Sequence, residues 1–580
     1  MRALLLFLTF CAALLPAAEP SLNGLDAFVD KQMKEWKVAG TAIAVVHDGK
    51  VILSKGYGLR NVKANLPVTP RTLFAIGSSS KSFTVVSLAL LAEQGKLDWD
   101  KPVREYLSDF RMHDASVTER MTPRDLVTHR SGLPRHDLVW YAAPYTRQQI
   151  YERLRYLEPS TDFRSTWQYQ NIMFMTAGYL ASRVADLPWE EHVRRGIFVP
   201  LGMTGSNLSV TESQKSADHA LPYRVEKDVI TEIPFRNIDA IGPAGSINSH
   251  IEDMTRYLLM NLNGGKHDGK QFLSEGTLRQ LHSPQMVIPG ASRYPEVGDS
   301  SYGMGWMITT YQGRKNVHHG GNIDGFSALV SFLPNEKVGV VILTNSNGSA
   351  LPGVLSRYVF DRLLGIEPVD WTGRLRGDEQ KQKAAEEEAK KKNYTPRRAG
   401  TKPSHDLKEF AGEYEHPAYG VLKVEAQPED LKVTIHGLAA EFKHFHYDVF
   451  EAPETPGNPL SRSKIQFHSN LQGDIDSLSA PLETSLKPIV FARRAEAAFR
   501  QRSYLEPLAG QYVLGASTAT VTLRDDSTLV LVLGGQPPRE LVPTREFVFV
   551  IKGMTGFSVE FKKDELIFHQ PNGTFAAKRK

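Results

Sequence analysis

Cysteine is all but missing from this chain: the only one in 580 residues is Cys11. It lies in a short apolar run, Ala3 to Leu15, behind the basic start Met1-Arg2 and ahead of the small-residue exit Pro16-Ala17-Ala18. That is the pattern of a cleavable secretory signal peptide, placed here at residues 1–18, and it points to export of a secreted or periplasmic protein of bacterial type. Cys11 follows Phe10, where a lipid-modified cysteine would follow a small residue, so no lipoprotein anchor is expected. Cleavage near Ala17 or Ala18 would leave a mature chain without a thiol, which excludes disulfides, a cysteine nucleophile and cysteine-held metal. Long apolar runs are lacking too, and after the leader none could cross a bilayer. Charge of one sign is scarce, with 69 Lys and Arg against 65 Asp and Glu for a net +4. Spread along the chain, it gives no footprint for nucleic acid. Phosphate loops and dinucleotide fingerprints are missing, and His318-His319 and His444-x-His446 have no third ligand at a familiar spacing, so neither cofactor nor metal is expected.

What is present is ordinary globular material, 41% hydrophobic and 23% charged, in a chain long enough for two or more domains. Over 19–370 helical and strand patterns alternate. Leu25, Phe28, Val29, Met33 and Trp36 recur at helical spacing, Thr41–Val46 and Val51–Ser54 flank the turn Asp48-Gly49, and four strands follow between Trp306 and Leu343, closed by a helix from about Leu351 to Leu364. Residues 371–403, rich in Glu, Lys, Gln and Ala, could begin as a charged helix but read best as a solvated linker. Beyond it the chain repeats. Leu407-x-x-Phe410-Ala411-Gly412-Glu413-Tyr414 is echoed by Leu505-x-x-Leu508-Ala509-Gly510-Gln511-Tyr512, and the copies end alike in Phe491-Ala492-Arg493-Arg494 and Phe575-Ala576-x-Lys578-Arg579. About eight short strands per copy predict two small closed barrels, at 404–498 and 499–580.

Three stretches carry reactive side chains. Ser78 and Lys81 lie three apart where a loop feeds the apolar helix that ends at Gln94-Gly95, so the amine can reach the hydroxyl and help activate a nucleophile that is otherwise weak. Tyr169 and Asn171 stand just before a second apolar helix, and His319 with Gly321 lies on a strand whose glycines permit close backbone approach. Alone, each has a plain reading: an exposed helix start, a helix cap, polar strand residues. His129 could be imagined as the base of a Ser-His-Asp triad, but its place in Thr128-His129-Arg130-Ser131-Gly132 argues for a hydrogen-bonded framework role, and no Gly-x-Ser-x-Gly elbow is present.

Taken together, Ser78-x-x-Lys81, Tyr169-x-Asn171 and His319-x-Gly321 resemble the signature elements of the serine β-lactamase and penicillin-binding protein superfamily. The tyrosine element points to its branch of class C β-lactamases, DD-carboxypeptidases and esterases. Leu126 to Pro134, Pro200-Leu201-Gly202-Met203 and Tyr302-Gly303-Met304-Gly305-Trp306 are similar as well, so the resemblance spans about 22–365. It implies an α/β (α+β) domain with an antiparallel sheet flanked by helices. The C-terminal repeats resemble lipocalin-like modules, chiefly at Tyr447-Asp448-x-Phe450. By the same resemblance Ser78 forms an acyl-enzyme, Lys81 or Tyr169 is the base, and Tyr169 returns a proton to the leaving group. Asn171 holds the substrate amide, His319 orients the leaving side or its carboxylate, Gly321 and Asn322 belong to the substrate-facing strand, and the backbone amides of Ser78 and Asn322 form the oxyanion hole. His319-Gly320-Gly321 departs from the Lys-Thr-Gly of class C β-lactamases and argues against efficient antibiotic hydrolysis. The expectation is an exported acyl hydrolase acting on small molecules or peptides: D-amino-acid peptides, β-lactams or small esters. The alternative is a non-catalytic penicillin- or peptidoglycan-fragment-binding protein, but a decayed enzyme should lack a reactive group and none is missing.

Overall fold

The computed structural model describes residues 21–580 apart from 394, 395, 456, 472 and 555, and the expected leader with Cys11 lies outside the described residues. The described residues form two units, one of 21–135, 145–155 and 161–393, the other of 136–144, 156–160 and the C-terminal part. No helix among them is long and apolar enough to cross a membrane.

The first unit is built on a nine-stranded antiparallel sheet whose order runs Met286–Ile288, Ser300–Tyr302, Met307–Tyr311, Arg314–Ile323, Phe326–Leu333, Val338–Thr344, Gly40–His47, Lys50–Asn61, Leu66–Pro67. Val338–Thr344 and Gly40–His47 are buried almost throughout, which is why they read as unbroken apolar runs and not as alternating ones. Helices Leu25–Trp36 and Leu351–Leu363 share a core cluster with Ile43, Val45, Val340 and Ile342, and Phe28 stacks on Tyr358 with ring centres 3.7 Å apart. Helix Ile251–Leu262 packs against the same central strands. The turn Asp48-Gly49 has both residues at positive φ, 47° and 75°, as a tight two-residue hairpin requires.

Residues 371–403, expected as a linker, instead open with a helix, Trp371–Asn393. Its first residue belongs to the core: Trp371 is 1% exposed and its indole N–H donates to Tyr311 Oη at 3.3 Å. One apolar side chain at the head of a charged run anchors the helix start, and composition averaged over the run hides it.

In the C-terminal unit both barrels are present and closed, eight strands each, in simple up-and-down order. The first closes where Tyr414 pairs with Arg493, the second where Tyr512 pairs with Arg579. This corrects the alignment of the two copy endings. They match from the arginine, so Ala577, fully buried, takes the inward place of Phe491, whereas Phe575 is 41% exposed. The unit also takes in 136–144 and 156–160, with His136 Nδ1 2.7 Å from Tyr419 Oη and its backbone N–H donating to Glu483 at 2.9 Å.

Candidate active site

Ser78 sits in a single 3-10 turn, Gly77–Ser79, that feeds the helix Ser80–Glu93. Almost every side chain of that helix is buried, so its hydroxyls bond inward: Thr84 Oγ1 donates to the Pro243 carbonyl at 2.7 Å and Ser82 Oγ to the Ser79 carbonyl at 2.9 Å. Lys81 is fully buried one turn in. Its Nζ lies 3.0 Å from Ser78 Oγ, 2.9 Å from Asn171 Oδ1 and 2.7 Å from the Ala244 carbonyl. The last two oxygens can only accept, so the nitrogen donates to both while standing within hydrogen-bond reach of Ser78. Nζ also stands 4.8 Å from the ring centre of Tyr169 and 5.5 Å from that of Phe174. Ser78 itself is half-buried and within reach of a substrate.

Tyr169 precedes the helix Asn171–Ala185, where Gln170 is the N-cap and its side-chain oxygen accepts the Ile172 N–H at 2.7 Å. The neighbouring Thr128–Pro134 stretch is held by buried Asp125, which takes Arg130 at 2.6 Å and Arg164 at 2.7 Å. These guanidiniums, with the bonds from Thr122, hold its carboxyl below the ordinary range in spite of burial. Arg135 reaches 5.5 Å from the Tyr169 ring centre.

His319 and Gly321 lie on the strand Arg314–Ile323, which pairs with Met307–Tyr311 only as far as His318. Beyond that point the strand's edge meets the serine turn. A Cβ on Gly321 would stand 1.8 Å from the Ile76 carbonyl oxygen and 3.1 Å from the Ser78 nitrogen, and one on Gly77, at φ 51°, would stand 2.7 Å from the Asn322 nitrogen. Glycine at both places therefore brings the Asn322 amide up to the turn that carries Ser78. The Asn322 side chain is engaged elsewhere, its oxygen accepting from Gly348 N at 2.9 Å. Beside the turn a small pocket of about 20 Å³ is lined by Phe235, Ile238, Ile323 and Phe326 and by the Arg236–Asp324 ion pair at 2.9 Å.

Ser78, Lys81, Tyr169, Asn171, His319, Gly321 and the Asn322 amide are thus drawn to one place, but two side chains are engaged differently from expectation. Asn171, 8% exposed, spends its oxygen on Lys81. His319 is buried, with Nδ1 2.6 Å from the Gly320 carbonyl and Nε2 3.0 Å from Tyr302 Oη. A carbonyl can only accept, so Nδ1 carries the hydrogen and Nε2 takes the tyrosine's. Burial, then the nearby Lys81 charge, push its pKa down to about 3. It is a neutral ring facing its own protein, and no cation for a substrate carboxylate. Sequence reasoning did not single out Ala244, which acts through a backbone carbonyl that any residue supplies. Nor did it assign a role to Tyr302, which stood only in a family-like phrase.

Comparison with known proteins gives a consistent picture. The Beta-lactamase family matches residues 25–363, and a domain of unknown function (DUF3471) matches 396–493. The chain is 29% identical over 426 residues to unguisins hydrolase ungD' of Aspergillus campestris, covering 70% of this chain and 78% of that protein. It is 28% identical over 465 residues to unguisins hydrolase ungD of Aspergillus violaceofuscus, covering 73% and 81%. Protein flp of Staphylococcus aureus strain N315 is 24% identical over 341 residues, 57% of this chain and 64% of that one. The octameric penicillin-binding protein homologue from Pyrococcus abyssi shares the fold, with a TM-score of 0.53 at 23% identity over 81% of this chain and 100% of its own.

Proposed function

This chain belongs to the beta-lactamase family and is a serine hydrolase, and from that premise we propose that it is an exported acyl hydrolase forming its acyl-enzyme on Ser78. The observation that carries the reading is the position of Lys81 Nζ, 3.0 Å from Ser78 Oγ and 2.9 Å from Asn171 Oδ1, which ties two separate motifs to one hydroxyl. In this scheme Tyr169, whose ring centre stands 4.8 Å from Lys81 Nζ, is the base, and Lys81 ties Ser78 to Asn171 and the Ala244 carbonyl. Ser78 Oγ bonds to the substrate carbonyl carbon as its proton passes to Tyr169. The tetrahedral oxyanion is held by the amides of Ser78 and Asn322, each such donor being worth roughly a hundred- to a thousand-fold in rate. Tyr169 then protonates the departing nitrogen or oxygen as its bond to carbon breaks. Water enters by the reverse proton path and releases the acid, restoring Ser78.

For substrate, the neutral His319 supports esters and amides over β-lactam antibiotics, and the names of two relatives, unguisins hydrolases, support a hydrolytic reaction. Labelling with a fluorescent fluorophosphonate tests the nucleophile: Ser78→Ala should abolish the signal, and equal labelling of both proteins would sink the assignment. A turnover panel of p-nitrophenyl esters, D-amino-acid amides, a D-Ala-D-Ala peptide and nitrocefin tests the substrate class. Esters and amides should exceed nitrocefin in kcat/KM, and the reverse order overturns this part.

A further inference from the structure

His129 is fully buried and belongs to no step of the scheme above. Its backbone is left-handed, φ 58°, a region that few residues other than glycine, asparagine, aspartate and histidine enter, and such strain persists only where surroundings impose it. Its carbonyl accepts the Gln168 N–H at 2.8 Å and its ring Nδ1 accepts the Gln170 N–H at 3.0 Å. These are the two residues on either side of Tyr169. The imidazole also lies against the phenol, ring centres 4.2 Å apart at 34°.

Because Nδ1 accepts, the ring hydrogen sits on Nε2, and there it has no hydrogen-bond partner. The imidazole is packed among rings, with Phe174 at 5.0 Å, Tyr302 at 4.5 Å and Trp167 at 5.9 Å between centres. A histidine kept only for packing would be expected to pair both nitrogens. Burial, and then the charge of Lys81, hold this one neutral, so it keeps its acceptor and adds no second cation beside the lysine.

We propose that His129 is a positioning residue for Tyr169: it grips the chain before and after the tyrosine through one carbonyl and one ring nitrogen, and backs the phenol with its face. The inference rests on the reading of Tyr169 as the base. Loss of the grip lets the phenol drift, and a displacement near 1 Å costs on the order of 100-fold in rate.

The test is a double-mutant cycle on the full chain, reading acylation and steady-state turnover of a p-nitrophenyl ester. His129→Leu should lower kcat about 100-fold with KM nearly unchanged. His129→Asn should recover most of that loss, since its Oδ1 stands where Nδ1 did and asparagine tolerates positive φ. In a Tyr169→Phe background His129→Leu should cost nothing further, because the group it positions is gone. Circular dichroism and melting temperature of each variant separate misfolding from the effect sought. An equal loss from His129→Leu in both backgrounds, or no rescue by asparagine in a folded protein, overturns the proposal. If Tyr169→Phe alone keeps the native rate, it is the assignment of the base that fails.

Discussion

At the scale of single residues, the site depends on what is missing at Gly321 as much as on what is present at Ser78. The strand edge can come up to the serine turn only because no Cβ stands between Gly321 and the Ile76 carbonyl. Gly321→Ala must push the two apart, and the first geometry to suffer is the Asn322 amide. We expect kcat/KM on a p-nitrophenyl ester to fall at least about 100-fold, the worth of one oxyanion donor. Stability should fall as well, by at least about 1–3 kcal/mol, the usual cost of overpacking, since the added Cβ meets backbone. Native kinetics in the alanine variant would show that Asn322 does not serve the oxyanion. The sequence made this glycine legible through its spacing from His319. It could not reveal that His319 is neutral, because burial is a property of the folded chain, nor that the Ala244 carbonyl holds Lys81, because a backbone oxygen leaves no mark in residue identity.

At the scale of elements, the C-terminal repeat is explained by a clasp that each barrel builds once. Tyr414 Oη donates to the Phe410 carbonyl at 2.8 Å, and Tyr512 Oη to the Leu508 carbonyl at 2.9 Å. Arg493 donates to the Ala411 carbonyl at 2.8 Å, and Arg579 to the Ala509 carbonyl at 2.9 Å, each guanidinium lying just under 6 Å from its tyrosine's ring centre. The shared residues at the head and tail of each copy are thus those that close the first strand onto the last. This is why the number and type of strands were readable from the repeat, while the pairing of the tails was not: the second copy is shorter and its final inward residue changes from Phe491 to Ala577. Tyr414→Phe leaves a buried carbonyl without its donor, which costs about 1–3 kcal/mol. Hydrogen exchange on the intact chain should therefore quicken in the strands of the first barrel and stay unchanged in those of the second. Uniform quickening in both would mean that the clasp is not local to its barrel.

At the scale of the whole molecule, stability should follow the charge state of histidines that folding forces to stay neutral. His282, buried with its Nε2 3.1 Å from Asn261 Oδ1, is pushed down to about 3 by burial, as His319 is by burial and Lys81. The free value is 6.5 for both. Their folded pKa values lie below it, so as the pH falls the unfolded chain takes up protons first. The full stability is therefore present above about pH 6.5 and is lost as the pH drops toward 3, at up to about 1.4 kcal/mol per pH unit for each group. Between pH 6.5 and 5, above the range where ordinary carboxylates titrate, the pair should remove about 3 kcal/mol. All seven tryptophans precede residue 393, so urea unfolding followed by their emission reports chiefly on the hydrolase part of the chain. His282→Gln keeps a nitrogen donor at the place of Nε2 and cannot titrate, and it should about halve the pair's share of the loss over that interval. An unaltered pH slope in this variant would show that His282 titrates alike in the folded and unfolded chain, and that the acid sensitivity of the fold arises elsewhere.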